Sequence, residues 1–421
     1  MLNKLYNSNT KKTLLGNFFS LSILQITNYV LPLVALPYLV RVLGPDKFGL
    51  LAFAQAFIQY FNIFIDYGFN FTATRDISIN RNSIEKVSEI FSSVLVLKMG
   101  FIGLSLLIIS LITFSFTKFR NEWLIYFLTF GVVICQNIFP RWLFQGLEKM
   151  KYITILNIIA KIIFTLFIFI FIKSTVDYLY VPLINFIGFF VSAVLGLLIA
   201  HKYLRVKFIR PSFNELKRQL KEGWYLFIST IATGLYTTSN AFILGIFASN
   251  TLVGYFSAAE RIIKAIEDLI SPVFHSVYPY LSKLFEESEY KAVIFLKKII
   301  RITSIVGVFI SLLVFTLANF IVDILLGSSY HQSIIVLKIL SLLPFIGGVN
   351  IILTSLTLLS FNYKKAFSSI IVGAGISNII FSFLFVPYYK QIGSCISVIL
   401  AEVFIMLSTL IYLKRKKIKL I

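Results

Sequence analysis

Polar and ionisable side chains recur at helical spacing inside two otherwise apolar stretches of this 421-residue sequence. The sets are Gln55, Gln59, Asn62, Asp66 and Asn70 in the first stretch, and Glu260, Lys264, Glu267, Ser271 and His275 in the second. Intervals of three and four residues place each set along one face of a helix. If these helices cross a membrane, each charge facing acyl chains at mid-bilayer would cost about 2.5–3.5 kcal/mol. We therefore expect both polar faces to line a hydrophilic cavity.

Basic residues inside or beside apolar stretches are candidates for binding an anion. They are Lys98, Arg141, Lys161, Arg261 and Lys264. Cations that line a cavity favour a phosphate or pyrophosphate group, which the arginine guanidinium binds through two parallel hydrogen bonds. These five residues are the predicted substrate-binding set.

Carboxylates in the same stretches are candidates for coupling to H⁺ or Na⁺. They are Asp66, Glu260, Glu267, Asp268 and Glu402, with Gln55, Gln59 and Asn62 as further polar lining. Carboxylates inside membrane spans commonly belong to proton or ion pathways. The structural alternative is that these groups join neighbouring helices by hydrogen bonds. Part of the set is expected to pair internally, because Lys264 has i,i+4 spacing to both Glu260 and Asp268.

No arrangement in the sequence predicts catalysis or a resident metal ion. The three histidines are scattered, and Cys135 and Cys395 lie far apart in apolar runs, so neither residue type has metal-ligand spacing. A GxxxxGK[ST] nucleotide loop and an HExxH zinc motif are both absent from the sequence. We expect a protein that is not an enzyme and has no cofactor apart from a coupling ion.

The composition identifies lipid as the main solvent of the chain. Hydrophobic residues make up 58% of the sequence and charged residues only 14%, and the mean hydropathy is +0.88. Soluble domains carry about 25% charged residues. A soluble enzyme, a secreted disulfide scaffold and a disordered chain are therefore excluded.

Apolar runs of the roughly 20 residues that a bilayer-spanning helix needs number about twelve. The predicted spans are 17–40, 48–71, 90–116, 123–145, 152–172, 179–200, 223–248, 253–278, 297–320, 332–359, 366–386 and 391–413. The runs are too long for barrel strands and lack their in–out alternation. They predict an all-α, polytopic membrane protein.

Basic residues between the spans predict its orientation. About 26 Lys and Arg fall on the side that holds the N-terminus and about six on the other, and basic loops stay in the cytoplasm. We expect both termini to be cytoplasmic. This distribution accounts for most of the net charge of +21 without nucleic acid as a partner.

The longest polar segment, 201–222, divides the spans into two sets of six. We predict an N-terminal lobe over 1–200, a cytoplasmic amphipathic linker over 201–222 with a short helix lying on the membrane surface, and a C-terminal lobe over 223–421 that ends in a basic tail. Aligning Gly49 with Gly254 superimposes the two polar faces, which indicates an internal repeat. The predicted fold is two pseudo-symmetric six-helix bundles around a central polar cavity.

Four segments resemble the O-antigen flippase, or Wzx, family of bacterial polysaccharide exporters. They are RVLGPDKFG at 41–49, PRWLFQGLEKM at 140–150, AAERI at 258–262 and the stretch 378–402. The resemblance covers essentially the whole chain. It implies the twelve-helix fold of the multidrug/oligosaccharidyl-lipid/polysaccharide exporter superfamily and a place in the bacterial inner membrane.

The resemblance also implies an activity, which is moving an undecaprenyl-pyrophosphate-linked oligosaccharide from the cytoplasmic to the periplasmic leaflet by alternating access. The implied partners are that substrate, membrane lipids, and a polysaccharide polymerase and glycosyltransferases of the same pathway. The residues matching the family's cavity cations are Arg141, Arg261 and Lys264.

Two other functions stay open on the sequence alone. A cation-coupled drug or metabolite antiporter would use the same fold, and the basic character of the candidate cavity residues argues against it. A membrane scaffold for glycosyltransferases would need none of the cavity cations for its function.

Overall fold

A computed structural model describes residues 8–416 and 418, with side chains described from residue 34 onward except at 232, 236, 269–276 and 279. The described chain is almost entirely helical and contains no β-strand. This confirms the predicted all-α fold. Ser271 and His275 of the second polar set lie outside the described side chains.

The helices form two compact units. The first unit holds the described residues up to Val42 together with Phe57–Ile231, and the second holds Leu43–Ala56 and the chain from Ala232 onward. The first nine helices are α1 Ser8–Asp66, α2 Phe69–Ile79, α3 Ile84–Ser115, α4 Thr117–Arg120, α5 Trp123–Ile138, α6 Arg141–Gly146, α7 Met150–Phe171, α8 Tyr180–Lys202 and α9 Phe213–Phe247. The next six are α10 Asn250–Glu287, α11 Glu289–Thr316, α12 Ala318–Leu325, α13 Ser333–Leu340, α14 Leu343–Ile351 and α15 Lys364–Arg415, with a π-helix at Ile352–Leu358.

Two of the long helices are interrupted where the sequence predicts a boundary between spans. In α1 the break is at Gly44, whose φ of 67° and ψ of 172° suit a residue without a Cβ atom. In α15 it is at Lys390, with φ 52° and ψ −128°, shortly after Pro387. Each of these helices therefore consists of two segments, as the predicted spans 17–40 and 48–71, and 366–386 and 391–413, require.

Two glycines permit a close backbone approach inside the second unit. A Cβ atom added to Gly49 would lie 1.8 Å from the Asn250 carbonyl oxygen, and one added to Gly254 would lie 2.0 Å from the Pro45 carbonyl oxygen. The start of the second segment of α1 and the start of α10 therefore meet backbone to backbone. These are the two glycines that the internal-repeat alignment pairs.

The outer faces of the helices are apolar and their buried positions include polar groups, which is the reverse of a soluble protein. Large side chains such as Leu107, Leu111 and Phe309 are more than 60% exposed, whereas Lys98 and Ser105 of α3 are buried. Eight helical segments of the described chain are long and apolar enough to cross a membrane. The chain is therefore a multi-pass membrane protein.

The exact number of twelve spans stays a prediction. Two of the eight apolar segments, Val34–Ile79 and Lys364–Arg415, contain the breaks described above and so hold more than one helix. The predicted spans 223–248 and 253–278 correspond to parts of α9 and α10, which are not among the eight segments.

The linker differs from the predicted surface helix. Its helical part is the first turns of α9, and this helix continues without interruption from Phe213 to Phe247. The preceding extended segment is fixed to α3, because the amides of Lys207 and Ile209 donate hydrogen bonds to the hydroxyls of Ser88 and Ser92 at 3.1 and 2.9 Å. The linker is therefore part of the first unit and not a separate helix.

A buried carboxylate explains this attachment. Asp76 of α2 is 6% exposed. Its Oδ2 accepts a hydrogen bond from Gln219 at 3.1 Å and forms an ion pair with Arg218 at 3.0 Å. Arg218 also pairs with Glu215 at 2.7 Å and with Glu222 at 3.0 Å. A buried charge without such partners would be strongly unfavourable, so the start of α9 is held against α2.

Candidate functional site

A cavity of about 480 Å³ lies inside the first unit. We call it the cationic cavity. Its polar lining consists of Gln59, Asn62, Asp66, Asn70, Gln136, Asn137, Arg141, Asn157, Lys161, Ser192 and Thr230. Four of the five members of the first predicted polar set, Gln59, Asn62, Asp66 and Asn70, thus face one cavity.

Each wall of the cationic cavity comes from a different helix. The second segment of α1 supplies Gln59 to Asp66, α5 supplies Gln136 and Asn137, and α7 supplies Asn157 and Lys161. Arg141 is the first residue of α6 and follows Pro140, which cannot continue α5. The break between α5 and α6 therefore brings a guanidinium to the cavity wall.

Lys98 lies behind this wall and not in it. Its side chain is 2% exposed, and its Nζ is 3.3 Å from Asp66 Oδ1 and 3.1 Å from Asn137 Oδ1. The Trp142 ring covers the ammonium at 4.5 Å from the ring centroid. This differs from the predicted position of Lys98 as a cation of the lining, because two polar groups on other helices already hold its ammonium.

A chain of amide hydrogen bonds extends from Lys98 to the cavity surface. Asn137 accepts from Lys98 and donates from Nδ2 to Asn62 Oδ1 at 2.7 Å. Asn70 donates to the same Asp66 oxygen that faces Lys98, at 2.5 Å. The orientation of the polar lining is thus fixed by a network within the first unit.

The electrostatic balance of the cationic cavity is positive. Arg141 and Lys161 face it, and the carboxylate of Asp66 is offset by Lys98. A cavity that combines two cations with several amides and hydroxyls suits a ligand with an anionic group and many hydroxyls.

The second unit contains two adjoining cavities of opposite character, which we call the acidic cavities. The larger, of about 340 Å³, is lined by Glu267, Asp268, Glu402, Asn350, Thr354 and Ser355 among others. The smaller, of about 150 Å³, is lined by Glu260, Lys264, Glu267, Glu402, Thr237 and Asn240 among others. Glu267 and Glu402 belong to both linings, so the two cavities share a wall.

Partners within the second unit hold two of these carboxylates. Glu402 accepts hydrogen bonds from Asn350 Nδ2 at its carbonyl oxygen and at Oε2, at 2.9 and 2.5 Å. Glu260 pairs with Lys264 at 2.9 Å, as the i,i+4 spacing predicts. Among the described lining residues the acidic cavities carry four carboxylates against one cation.

Arg261 lines neither kind of cavity. Its Nη2 donates to Gln55 Oε1 at 2.7 Å, and its guanidinium lies over the Phe48 ring at 5.0 Å from the centroid. Arg261 and Gln55 were both predicted to line a cavity, and the structure instead brings them together. Arg261 follows Glu260 by one residue, which turns it by about 100° to another face of α10.

Several lining residues were not predicted. Gln136, Asn137, Asn157 and Asn350 are amides in strongly apolar runs, and their signal was available in the sequence. Asn157 precedes Lys161 by four residues on α7, the spacing that places two side chains on one helix face. A search for amides at this spacing from an intramembrane charge would have found it.

Comparison with known proteins identifies relatives over nearly the whole chain. Residues 14–285 match the model of a family described as "Polysaccharide biosynthesis protein". A protein of Escherichia coli K12 named "Putative O-antigen transporter" is 33% identical, with 97% of this chain and 99% of that protein aligned. A protein of the same name from Shigella dysenteriae is 31% identical over 93% of this chain and 98% of its own length.

Solved structures share the fold at low sequence identity. An inward-facing multidrug resistance MATE family transporter of the MOP superfamily matches with a TM-score of 0.69 and 15% identity, over 95% of this chain and 98% of that one. The lipid II flippase MurJ in an inward closed conformation matches with a TM-score of 0.65 and 16% identity, over 96% of this chain and 87% of that one. At 15–16% sequence identity, this similarity shows a shared fold and nothing further.

Proposed function

Because the chain belongs to the polysaccharide biosynthesis protein family, in the Wzx-type flippase branch that its motifs resemble, we propose that it is a flippase for lipid-linked oligosaccharides. Its substrate is a polyprenyl-pyrophosphate-linked repeat unit of O-antigen or capsule type. It moves this substrate from the cytoplasmic to the periplasmic leaflet of the bacterial inner membrane by alternating access, with both termini in the cytoplasm.

The observation that carries the proposal is the joint presence of Arg141 and Lys161 in the lining of the cationic cavity. A pyrophosphate needs such cations, because a guanidinium forms short, charge-assisted hydrogen bonds to phosphate oxygens. The surrounding amides, such as Asn62 and Asn157, are donors and acceptors suited to sugar hydroxyls. A sugar–pyrophosphate group cannot cross the roughly 30 Å hydrocarbon layer unaided, while its polyprenyl tail can stay in lipid.

The acidic cavities supply a candidate for energy coupling. Glu267 and Glu402 line both of them, and carboxylates within membrane segments typically belong to proton or cation pathways. In this proposal H⁺ or Na⁺ binds in the second unit while the pyrophosphate binds in the first. The separation of charge between the units keeps the two ligands on different sites.

The proposal is tested in proteoliposomes that contain a fluorescent polyprenyl-pyrophosphate oligosaccharide, by measuring its arrival in the opposite leaflet. The variants Arg141→Ala and Lys161→Ala should each lower the rate about tenfold or more, because each removes a charge-assisted hydrogen bond of about 1.5–3 kcal/mol. The matched control is Lys151→Ala, an exposed lysine on the same helix as Lys161 that does not line the cavity. Wild-type rates in both cavity variants would refute the assignment of the site.

A cation-coupled drug or metabolite antiporter is the second candidate, and the acidic cavities are the observation that favours it. A cationic passenger would use Glu267, Asp268 and Glu402 as its binding groups. Overexpression should then confer resistance to cationic dyes. If the protein is this antiporter, a strain that lacks its gene should retain normal surface polysaccharide. If it is the proposed flippase, the same deletion should leave lipid-linked repeat units in the cytoplasmic leaflet.

A further inference from the structure

A separate groove opens between the two segments of α15, at the end where this helix begins and finishes. Its volume is about 500 Å³, and its lining is Lys365, Ala366, Ser369, Ile370, Ser408, Ile411, Tyr412 and Arg415. None of these residues lines the cationic cavity or the acidic cavities. The groove therefore belongs to neither part of the proposed transport site.

The chemistry of the groove changes with depth along the helices. Lys365 and Arg415 are exposed at its mouth. The hydroxyl of Ser369 follows one turn deeper than Lys365, at about 6 Å for a rise of 1.5 Å per residue. Ile411 lies one turn deeper than Arg415 and is 55% exposed on the apolar outer surface. Charge at the mouth of the groove is thus followed, about 6 Å deeper, by both a hydroxyl and a hydrocarbon side chain.

The charge of the groove is positive. Its lining includes two cations and no carboxylate, and Glu402 is the only acidic residue of the sequence after residue 360. Further basic residues, among them Lys364 and Lys414, surround the mouth without lining it. An anion is therefore the ligand that this end of α15 attracts.

Aromatic contacts connect the two ends of α15 at the mouth of the groove. The ring of Tyr363, the residue just before α15, lies 5.5 Å from the ring of Tyr412 in the second segment of α15. The ammonium of Lys416 packs over both rings, at 5.6 Å from Tyr363 and 6.0 Å from Tyr412. These contacts join the start of α15 to its end, so the binding groups are positioned before a ligand arrives.

We infer that this groove binds the phosphodiester group of an anionic phospholipid of the cytoplasmic leaflet. Lys365 and Arg415 contact the phosphate, the serine hydroxyls face the glycerol, and an acyl chain lies along Ile411. Basic pockets between membrane helices on the cytoplasmic side are suited to anionic headgroups. The apolar, outward-facing floor favours a lipid over a soluble phosphate, which would gain nothing from contact with Ile411.

The test is titration of the purified full-length protein in detergent with phosphatidylglycerol, with bound lipid counted by native mass spectrometry. We expect tighter binding of phosphatidylglycerol than of phosphatidylcholine with the same acyl chains. The double variant Lys365→Gln with Arg415→Gln should lose affinity about tenfold or more, because two charge-assisted contacts are removed. Equal binding of the two lipids by the wild-type protein would overturn the inference.

The matched control removes the same charge from the same end of the helix outside the groove, as Lys364→Gln with Lys414→Gln. It should bind phosphatidylglycerol like the wild type, and an equal loss in both double variants would mean that diffuse charge alone attracts the lipid. If the groove double variant unfolds, the single variants Lys365→Arg and Arg415→Gln replace it. The first keeps the positive charge and should bind the lipid like the wild type, whereas the second removes a charge and should weaken binding. Competition with glycerol 3-phosphate distinguishes the source of the phosphate: displacement of the lipid at similar concentrations would overturn the lipid assignment.

Discussion

Lys98 and Asp66 form an ion pair of 3.3 Å in which the lysine is almost wholly buried and the carboxylate reaches the cationic cavity. Lys98 therefore acts on the cavity through Asp66. It offsets the negative charge of the carboxylate, so that the field in the cavity is set by Arg141 and Lys161. It also fixes Asn137, which in turn orients Asn62.

Replacing Lys98 by methionine should destabilise the first unit. The change leaves Asp66 without its charge partner, and breaking a buried pair costs about 3–5 kcal/mol. Because Asp66 keeps contact with the cavity, we expect the lower end of this range, measured as a fall in thermal unfolding temperature in detergent. Transport should also slow, since an uncompensated carboxylate repels an anionic ligand.

A double-mutant cycle separates the pair from the packing of the lysine stem. Lys98→Met with Asp66→Asn should recover a large part of the lost stability, because neither residue is then charged. Lys151→Met, at an exposed position of α7, should leave the unfolding temperature unchanged. A Lys98→Met protein as stable as the wild type would contradict the role assigned to the pair.

Alanine at Gly49 or Gly254 should disrupt the second unit. The added methyl group would overlap a backbone carbonyl oxygen at 1.8 or 2.0 Å, and backbone cannot move aside as a flexible side chain can. We expect a loss above the roughly 1–3 kcal/mol typical of overpacking. The measurement is the fraction of monodisperse protein after heating, followed by size-exclusion chromatography.

Gly100 and Gly103 of α3 provide the matched controls. A Cβ atom at either position would have nothing within 4 Å, and alanine is favoured over glycine inside a helix by roughly 0.5–1 kcal/mol. Gly100→Ala and Gly103→Ala should therefore be neutral or slightly stabilising. The same loss in all four variants would mean that the close approach at Gly49 and Gly254 is not the cause.

The sequence predicted the features that depend on local pattern. The breaks at Gly44 and near Lys390 fall between predicted spans, and the polar residues at three- and four-residue intervals from Gln59 to Asn70 line one cavity. Gly49 and Gly254, which the repeat alignment treats as equivalent positions, also meet in space, a contact that the alignment did not predict.

The features that were missed depend on which helix face meets which neighbour. Depth in a span can be counted along the chain, and this indicated that Lys98 is intramembrane, but it could not show that Asp66 and Asn137 lie beside it. Arg261 likewise lies next in sequence to a cavity residue and on another face of the helix, against Gln55. Rotational position about the helix axis is set by tertiary packing, which a single sequence does not record.

Acidification should weaken the attachment of the linker to the first unit. The hydrogen bond from Arg218 to Glu215 lowers the pKa of this carboxyl below its ordinary value of 4.5. A carboxyl with a lowered folded-state pKa stabilises the fold above its unfolded pKa, and this contribution is lost as the pH falls through the folded value. The stability that the charge of Glu215 contributes to the fold should therefore be fully present above about pH 5 and should decline below about pH 4.5.

The measurement is the difference in unfolding temperature between the wild type and Glu215→Gln across pH 3 to 7. The difference should be largest near neutral pH and shrink in acid, since both proteins then lack the charge. Glu286→Gln, at an exposed carboxylate of α10, should show little difference at any pH. A difference in unfolding temperature that stays constant with pH would show that the charge of Glu215 does not hold the linker.

Neutralising Glu402 or Glu267 should uncouple transport from an ion gradient. Both carboxylates line the two acidic cavities, and Asn350 holds Glu402 in place by donating to it. A glutamine keeps the size and much of the hydrogen bonding but cannot take up a proton or balance a cation. In proteoliposomes, an imposed H⁺ or Na⁺ gradient should accelerate flipping by the wild type, while Glu402→Gln and Glu267→Gln should flip at a rate independent of the gradient.

Glu287→Gln, which removes an exposed carboxylate paired with Lys283, should respond like the wild type. Equal gradient dependence in all of these proteins would exclude the acidic cavities as the coupling site, and the assignment of Arg141 and Lys161 to the substrate would be unaffected because it rests on the other unit.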